Sequence, residues 1–279
     1  MRCALQPGGT GGSLLSFGMR SSRKNLRIVS LAPSSTSILC SIGAAKTLVG
    51  VSKWCKDVAN VAHLPAFGDC WHIDNINAIQ ALHPDLVIGS VPFRAEALDK
   101  LLAAPLNFLA LNPRSLADIE RDIFQLGGLT GHIQQAHRLV RRMRQLFATV
   151  SARARKQTRL RVYAESWPNP RIASPMWVAE LIAFAGAELI VSPGARVSEE
   201  AVAQGNPEVI LLAWAATGSR AKTSKTYAVR LWQNTPALRS RRVFVVQDEL
   251  LNTPGPPLMQ GMKELERIFV MCRKGERSS

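Results

Sequence analysis

From Leu26 onward, short apolar runs rich in β-branched residues alternate with stretches of helical spacing. Arg27-Ile28-Val29-Ser30-Leu31 reads as a buried strand closed by Ala32-Pro33. Ser34 to Ile42 follows as a helix, with serine available at its start and Gly43 just past its end. The same grammar predicts strands over 47–51, 85–89 and 107–111, and helices over 73–82, 93–103 and 116–126. Runs without an exposed polar face, spaced by helices, are the mark of parallel βαβ units whose strands are covered on both sides.

A longer periodic stretch comes next. From Gly131 to Lys156 the apolar residues Ile133, Ala136, Leu139, Val140, Met143, Leu146, Phe147 and Val150 fall at three- and four-residue spacing. At 1.5 Å per residue this helix would run about 39 Å, longer than an ordinary crossover needs. After it the strand–helix alternation restarts: strands over 160–164, 189–191, 209–213 and 243–246, helices over 176–184, 198–204 and 256–271. The halves also repeat one another. Ile79-Gln80-Ala81-Leu82-His83-Pro84-Asp85-Leu86-Val87-Ile88 parallels Val202-Ala203-Gln204-Gly205-Asn206-Pro207-Glu208-Val209-Ile210-Leu211, and Ile42-Gly43-Ala44 parallels Ala185-Gly186-Ala187. The expectation is an α/β protein of two similar Rossmann-like lobes with parallel sheets, joined by one long backbone helix. Its parts are a disordered leader (1–25), an N-terminal lobe (26–130), a bridging helix (131–157) and a C-terminal lobe (158–279).

Composition narrows the class. The 279 residues are long enough for two ordinary lobes, and 47% hydrophobic content suits a globular chain. Lys and Arg exceed Asp and Glu by 35 to 20, a net charge of +15 that favours acidic surfaces. The basic residues crowd between Arg138 and Arg161 with Phe147 as the only aromatic there, which suits a solvated helix face better than a nucleic-acid reader. Five cysteines in no framework spacing lean toward a reducing compartment. Met1 to Asn25 lacks the apolar stretch of a secretory signal, and Met19 is an alternative start. The resulting expectation is a cytoplasmic location, or a periplasmic one if the start is mis-assigned.

Ligands of open α/β sheets sit beyond the carboxyl ends of the strands. Those positions hold Ser34 and Ser35, Trp54, Trp167, Trp214 and Glu249, while Trp71 lies in a loop before a helix. Tryptophans at loops offer flat surfaces for a planar ligand. Cys55, His63, Cys70 and His72 fall close together but fit no standard zinc spacing. No nucleophile elbow, phosphate loop, dinucleotide fingerprint or metalloprotease motif is present, so the chain reads as a binding protein with no intrinsic cofactor and not as an enzyme.

The chain from about Arg27 to Met271 resembles the helical-backbone metal receptor superfamily, the class III periplasmic binding proteins. The resemblance rests on Arg27-Ile28-Val29-Ser30-Leu31-Ala32-Pro33-Ser34-Ser35-Thr36, Leu48-Val49-Gly50-Val51-Ser52 and His83-Pro84-Asp85-Leu86-Val87-Ile88. In the second half it rests on Val197-Ser198-Glu199-Glu200, Asn206-Pro207-Glu208-Val209-Ile210 and Pro254-Gly255-Pro256. Members capture vitamin B12, ferric siderophores or haem for ABC importers, and the segments here are most similar to cobalamin-binding members. That resemblance implies a corrinoid ligand, with Trp54 and Trp71 in the first lobe and Trp167 and Trp177 in the second facing it. It also implies docking on a permease through one glutamate per lobe. Glu200 fills the second position, but Asn77 stands at the first and removes a charge-assisted contact, so the sequence leaves an importer partner open. The expectation is a monomer that clamps a metal chelate in a largely preformed cleft, with no nucleic-acid partner. A haem or ferric-siderophore ligand, or a basic nucleic-acid-associated role, are the alternatives.

Overall fold

The computed structural model describes residues 26–275, so the predicted leader lies outside the described residues. The first sheet contains β1 (Ile28–Ser30), β2 (Leu48–Ser52), β3 (Ala66–Phe67), β4 (Leu86–Ser90) and β5 (Phe108–Leu111), all parallel in the order β3-β2-β1-β4-β5. Its helices are α1 (Pro33–Ser41), α2 (Ile76–Gln80), α3 (Ala95–Ala103) and α4 (Leu116–Leu129). The chain leaves β1 toward β2 and β3, then returns to the other side through β4, which puts the topological switch between β1 and β4.

Helix α5 (Ile133–Ala154) then leads to the second sheet. That sheet comprises β6 (Leu160–Pro168), β7 (Arg171–Ala173), β8 (Ala187–Leu189), β9 (Val209–Leu212) and β10 (Val243–Val245). Around it lie α6 (Met176–Phe184), α7 (Glu199–Gly205), the short α8 (Thr223–Tyr227), α9 (Pro236–Arg239) and α10 (Glu249–Asn252), and the terminal α11 (Leu258–Arg273). The nine-residue β6 is the hub: its first half pairs parallel with β8, its second half turns back on β7, and β9 and β10 run parallel on its other side. The antiparallel β6–β7 hairpin is the one departure from the expected parallel pattern among the described strands. The second switch lies between β6 and β9.

The duplication is visible in side-chain detail. Before β4, His83 takes φ 46°, and before β9, Asn206 takes φ 48°, each directly ahead of a proline. His and Asn are among the non-glycine residues that tolerate this left-handed conformation best. Just beyond, the Asp85 carboxylate accepts from the Arg27 backbone N–H at 2.7 Å, and Glu208 accepts from that of Arg161 at 3.0 Å. The Arg27 side chain caps Leu82 O and that of Arg161 caps Asn206 O. Gly43 and Gly186 close α1 and α6 at φ 85° and 78°, a conformation in which a side chain would be strained.

Helix α5 is shorter than expected, about 33 Å at 1.5 Å per residue. Ala136, Leu139, Val140, Met143, Phe147, Val150 and Ala154 are its buried stripe. Around that stripe one continuous apolar cluster joins Ile28, Leu48 and Ile88 of the first sheet to Val162, Val209 and Phe269 of the second half. Each sheet buries its other face in a separate cluster, with Val29, Ile79 and Leu101 in the first and Tyr163, Ile210 and Trp232 in the second. Direct contacts also tie the halves: the Leu116 N–H at the start of α4 donates to the Glu180 carboxylate on α6 at 2.7 Å. Among the described residues no helix is long and apolar enough to cross a membrane.

Candidate functional site

Beyond β2 the chain turns into Trp54, whose indole N–H donates to Asp69 Oδ2 at 2.8 Å. The other oxygen of Asp69 accepts from the backbone N–H groups of Trp71 at 2.8 Å and His72 at 3.0 Å. One carboxylate therefore fixes both tryptophan loops. The turn is tight: a Cβ on Gly68 would stand 1.8 Å from His72 O, so only glycine fits. Trp54 is half-buried with Lys53 Nζ 5.0 Å from its ring centroid, while Trp71 is 51% exposed with the Arg94 guanidinium 5.9 Å away. Each ring thus carries a cation over it.

In the second half, the β6–β7 hairpin presents Trp167, 39% exposed, its indole N–H held by Asn169 O at 2.9 Å. The base of the hairpin is a buried polar cluster. Glu165 is wholly buried and accepts from Trp214 Nε1 at 2.8 Å, the Tyr163 hydroxyl at 2.7 Å and Arg171 Nη1 at 3.1 Å. Burial and the adjacent Glu165 carboxylate push the Tyr163 phenol far up, so it stays a donor. Asp248, also buried, accepts from Ala216 N at 2.8 Å and Gly218 N at 2.7 Å, which pins the loop after β9. Next to it Glu249 is half-buried. Burial pushes its carboxyl up, and the negative charges of Asp248 and of Asp57 from the first half add to the effect.

The geometry divides the sequence-predicted residues. Trp54, Trp71, Trp167 and Glu249 reach the surface of the strand-end loops. Ser35, Ser34, Trp177 and Trp214 do not. Ser35 bonds Ser30 Oγ at 2.7 Å and is fully buried, and Ser34 lies under the segment around Gly255. The Trp177 indole donates to Leu251 O at 2.9 Å and packs in the shared core, and Trp214 is spent on Glu165. The polar side-chain atoms of Ser35, Trp177 and Trp214 are satisfied internally and Ser34 is buried, so position after a strand or at a helix start does not by itself fix where a side chain points. Cys55 and Cys70 are buried, His72 pairs with Asp74 at 3.3 Å, and His63 is exposed. No group of three or more metal-ligating side chains comes together among the described residues.

Glu200 and Asn77 occupy equivalent places. Each is the second residue of its helix, behind a capping side chain: Ser198 Oγ accepts from Ala201 N and Asn75 Oδ1 from Ala78 N. Both are exposed, and hydrogen bonds from its own backbone N–H and from Ser198 hold the Glu200 carboxyl below its ordinary range. Part of the basic region is neutralised in place, with Arg144 paired to Glu120 and Arg153 to Glu266 at 3.0 Å. Sequence reasoning did not single out Asp69 or Arg171. The Gly68-Asp69 pair is a turn signal that marks the first, whereas nothing local marks Arg171.

A family profile describing periplasmic binding proteins matches residues 28–250. This chain belongs to the periplasmic binding protein family. It is 26% identical over 256 residues to the vitamin B12-binding protein of Vibrio parahaemolyticus, covering 89% of this chain and 90% of the relative. It is equally 26% identical over 257 residues to the ABC transporter substrate-binding lipoprotein YvrC of Bacillus subtilis, covering 87% and 80%. Among solved structures, a periplasmic haem-binding protein from Pseudomonas aeruginosa superposes with a TM-score of 0.76 at 24% identity over 87% of this chain and 92% of that one. That level of identity carries the fold, the two-lobed class III architecture, and no more. This periplasmic binding protein is thus a solute-binding protein of the ABC-importer type, and its relatives are substrate-binding proteins and not enzymes. The cytoplasmic expectation is overturned: a periplasmic family and a lipoprotein relative point outside the cytoplasm. Absence of a recognisable signal and of paired cysteines was too weak a basis for it.

Proposed function

We propose that this protein captures a corrinoid, cobalamin or a close relative, between its lobes outside the cytoplasm and hands it to an ABC importer. The observation that carries the reading is the trio of surface-reaching indoles, Trp54 and Trp71 in one half and Trp167 in the other. Flat apolar faces on two opposed lobes suit a rigid, bulky macrocycle, and carboxylates at Glu249 and Asp57 suit the amide donors on a corrin rim better than anionic groups. The vitamin B12-binding relatives support the same ligand. Glu200 is the second-lobe docking carboxylate, and Asn77 leaves the first-lobe contact as a neutral hydrogen bond.

Haem is the second reading. His72, exposed beside Trp71, is the imidazole that a haem iron would take, and haem-binding proteins share this fold. Adding cyanocobalamin to the purified protein is expected to quench tryptophan fluorescence and raise the melting temperature, and Trp54→Ala or Trp71→Ala is expected to weaken binding about 10- to 100-fold. A haemin titration followed by its absorbance separates the alternatives. Binding of haemin with no response to saturating cyanocobalamin overturns the corrinoid reading.

A further inference from the structure

Arg171 stands opposite Pro168 beside the turn of the hairpin that carries Trp167, and its side chain, 19% exposed, reaches back to the hairpin base. Its guanidinium is forked between two carboxylates of different elements. Nη1 donates to Glu165 Oε2 at 3.1 Å, inside the second half, and Nη2 donates to Glu199 Oε1 at 3.0 Å, on the first turn of α7. The flat of the guanidinium lies 4.7 Å from the Trp232 ring centroid, and Trp232 in turn donates its indole N–H to Glu199 O at 2.9 Å. Tyr163 meets the same ring edge-on at 5.6 Å. The two ends of this chain differ in exposure: Glu165 is fully buried, while the Glu199 side chain is 43% exposed.

We propose that Arg171 is a positioning residue that fixes the pose of the Trp167 hairpin and that Glu199, on the exposed turn of α7, is its outer tether. The inner contact is obligatory, since a buried Glu165 left without its cation is strongly disfavoured. The outer contact is adjustable, because water competes for an exposed carboxylate. When Glu199 is drawn away or neutralised, the guanidinium keeps Glu165 and loses its second anchor, and the hairpin around Trp167 loosens. A change at the first turn of α7 is thereby felt at the mouth of the cleft without any backbone rearrangement in between. Lysine does not substitute, because a single ammonium on a flexible stem lacks the planar fork that spans both carboxylates.

The test uses amide hydrogen exchange on the ligand-free protein, so it stands whatever the cleft holds. The readout is exchange in a peptide spanning Glu165–Ala173, with a peptide from α11 as the internal reference. Glu199→Gln is expected to speed hairpin exchange on the order of three- to tenfold, the loss of one charge-assisted bond at a partly exposed site. Glu200→Gln, on the same turn but not bonded to Arg171, is expected to leave that peptide unchanged. Arg171→Lys is expected to reproduce the Glu199→Gln effect, and Glu199→Gln added to it should then do nothing further. The proposal is overturned if Glu199→Gln and Glu200→Gln act alike on the hairpin, if the hairpin ignores Glu199→Gln, or if the two substitutions add.

Discussion

Asp122 is a carboxylate on the buried side of α4. Burial raises its pKa from the ordinary 3.8 to about 6, with Arg121 pulling it down and Asp118 pushing it up by less. A raised carboxyl pKa means that the native state holds the proton more tightly than the unfolded chain does. Stability is therefore greatest below the unfolded value, falls as pH rises from about 4 through about 6, and levels off above. At 1.36 kcal/mol per unit, the shift corresponds to about 2–3 kcal/mol at neutral pH. Asp122→Asn keeps the shape of the protonated acid and removes the titration. Urea denaturation of both proteins at pH 4, 5, 6, 7 and 8 should give coincident midpoints at pH 4. Toward pH 7 the asparagine variant should pull ahead by about 2 kcal/mol. All other titrating groups are common to both and cancel in the difference. A difference that is flat with pH, or that favours aspartate at pH 7, refutes the reasoning.

Two further outcomes test the packing between elements. Glu180→Ala removes the carboxylate that receives the Leu116 N–H and is expected to cost about 1–2 kcal/mol in chemical denaturation, while Glu180→Gln, which keeps an acceptor, should recover most of it. Gly261→Ala in α11 would place a Cβ 2.1 Å from Leu250 O. The helix gains about 1 kcal/mol of propensity from alanine, but the backbone clash outweighs it, so a net loss of about 1–3 kcal/mol is expected on thermal denaturation.

The alternation of buried strands and helices was legible because parallel strands covered on both faces must be apolar along their whole length. The duplicated turns were legible because His83-Pro84-Asp85 and Asn206-Pro207-Glu208 solve one local problem, a left-handed residue and a carboxylate clasp, with similar residues. The stretch from Ala215 to Arg242 was not, since α8 and α9 are too short to show a period and Trp232 is buried by its surroundings instead of by a pattern. Within the candidate site, strand ends point to loops but not to the side-chain direction. Trp54 and Trp214 stand alike in sequence, yet one ring reaches the surface and the other turns inward to Glu165. Partners such as Asp69 for Trp54, fifteen residues away, and Glu199 for Arg171, twenty-eight away, are supplied by the fold alone.

The stripe of α5 that both sheets share decides whether the two halves can be parted. A pair of lobes strung on a flexible linker could be separated, each keeping its own interior. Here the interior is held in common: Ile28 and Val209 belong to one cluster with Met143 between them in sequence. Neither repeat therefore owns a complete core, and cutting the chain within α5 would lay apolar surface bare on both halves.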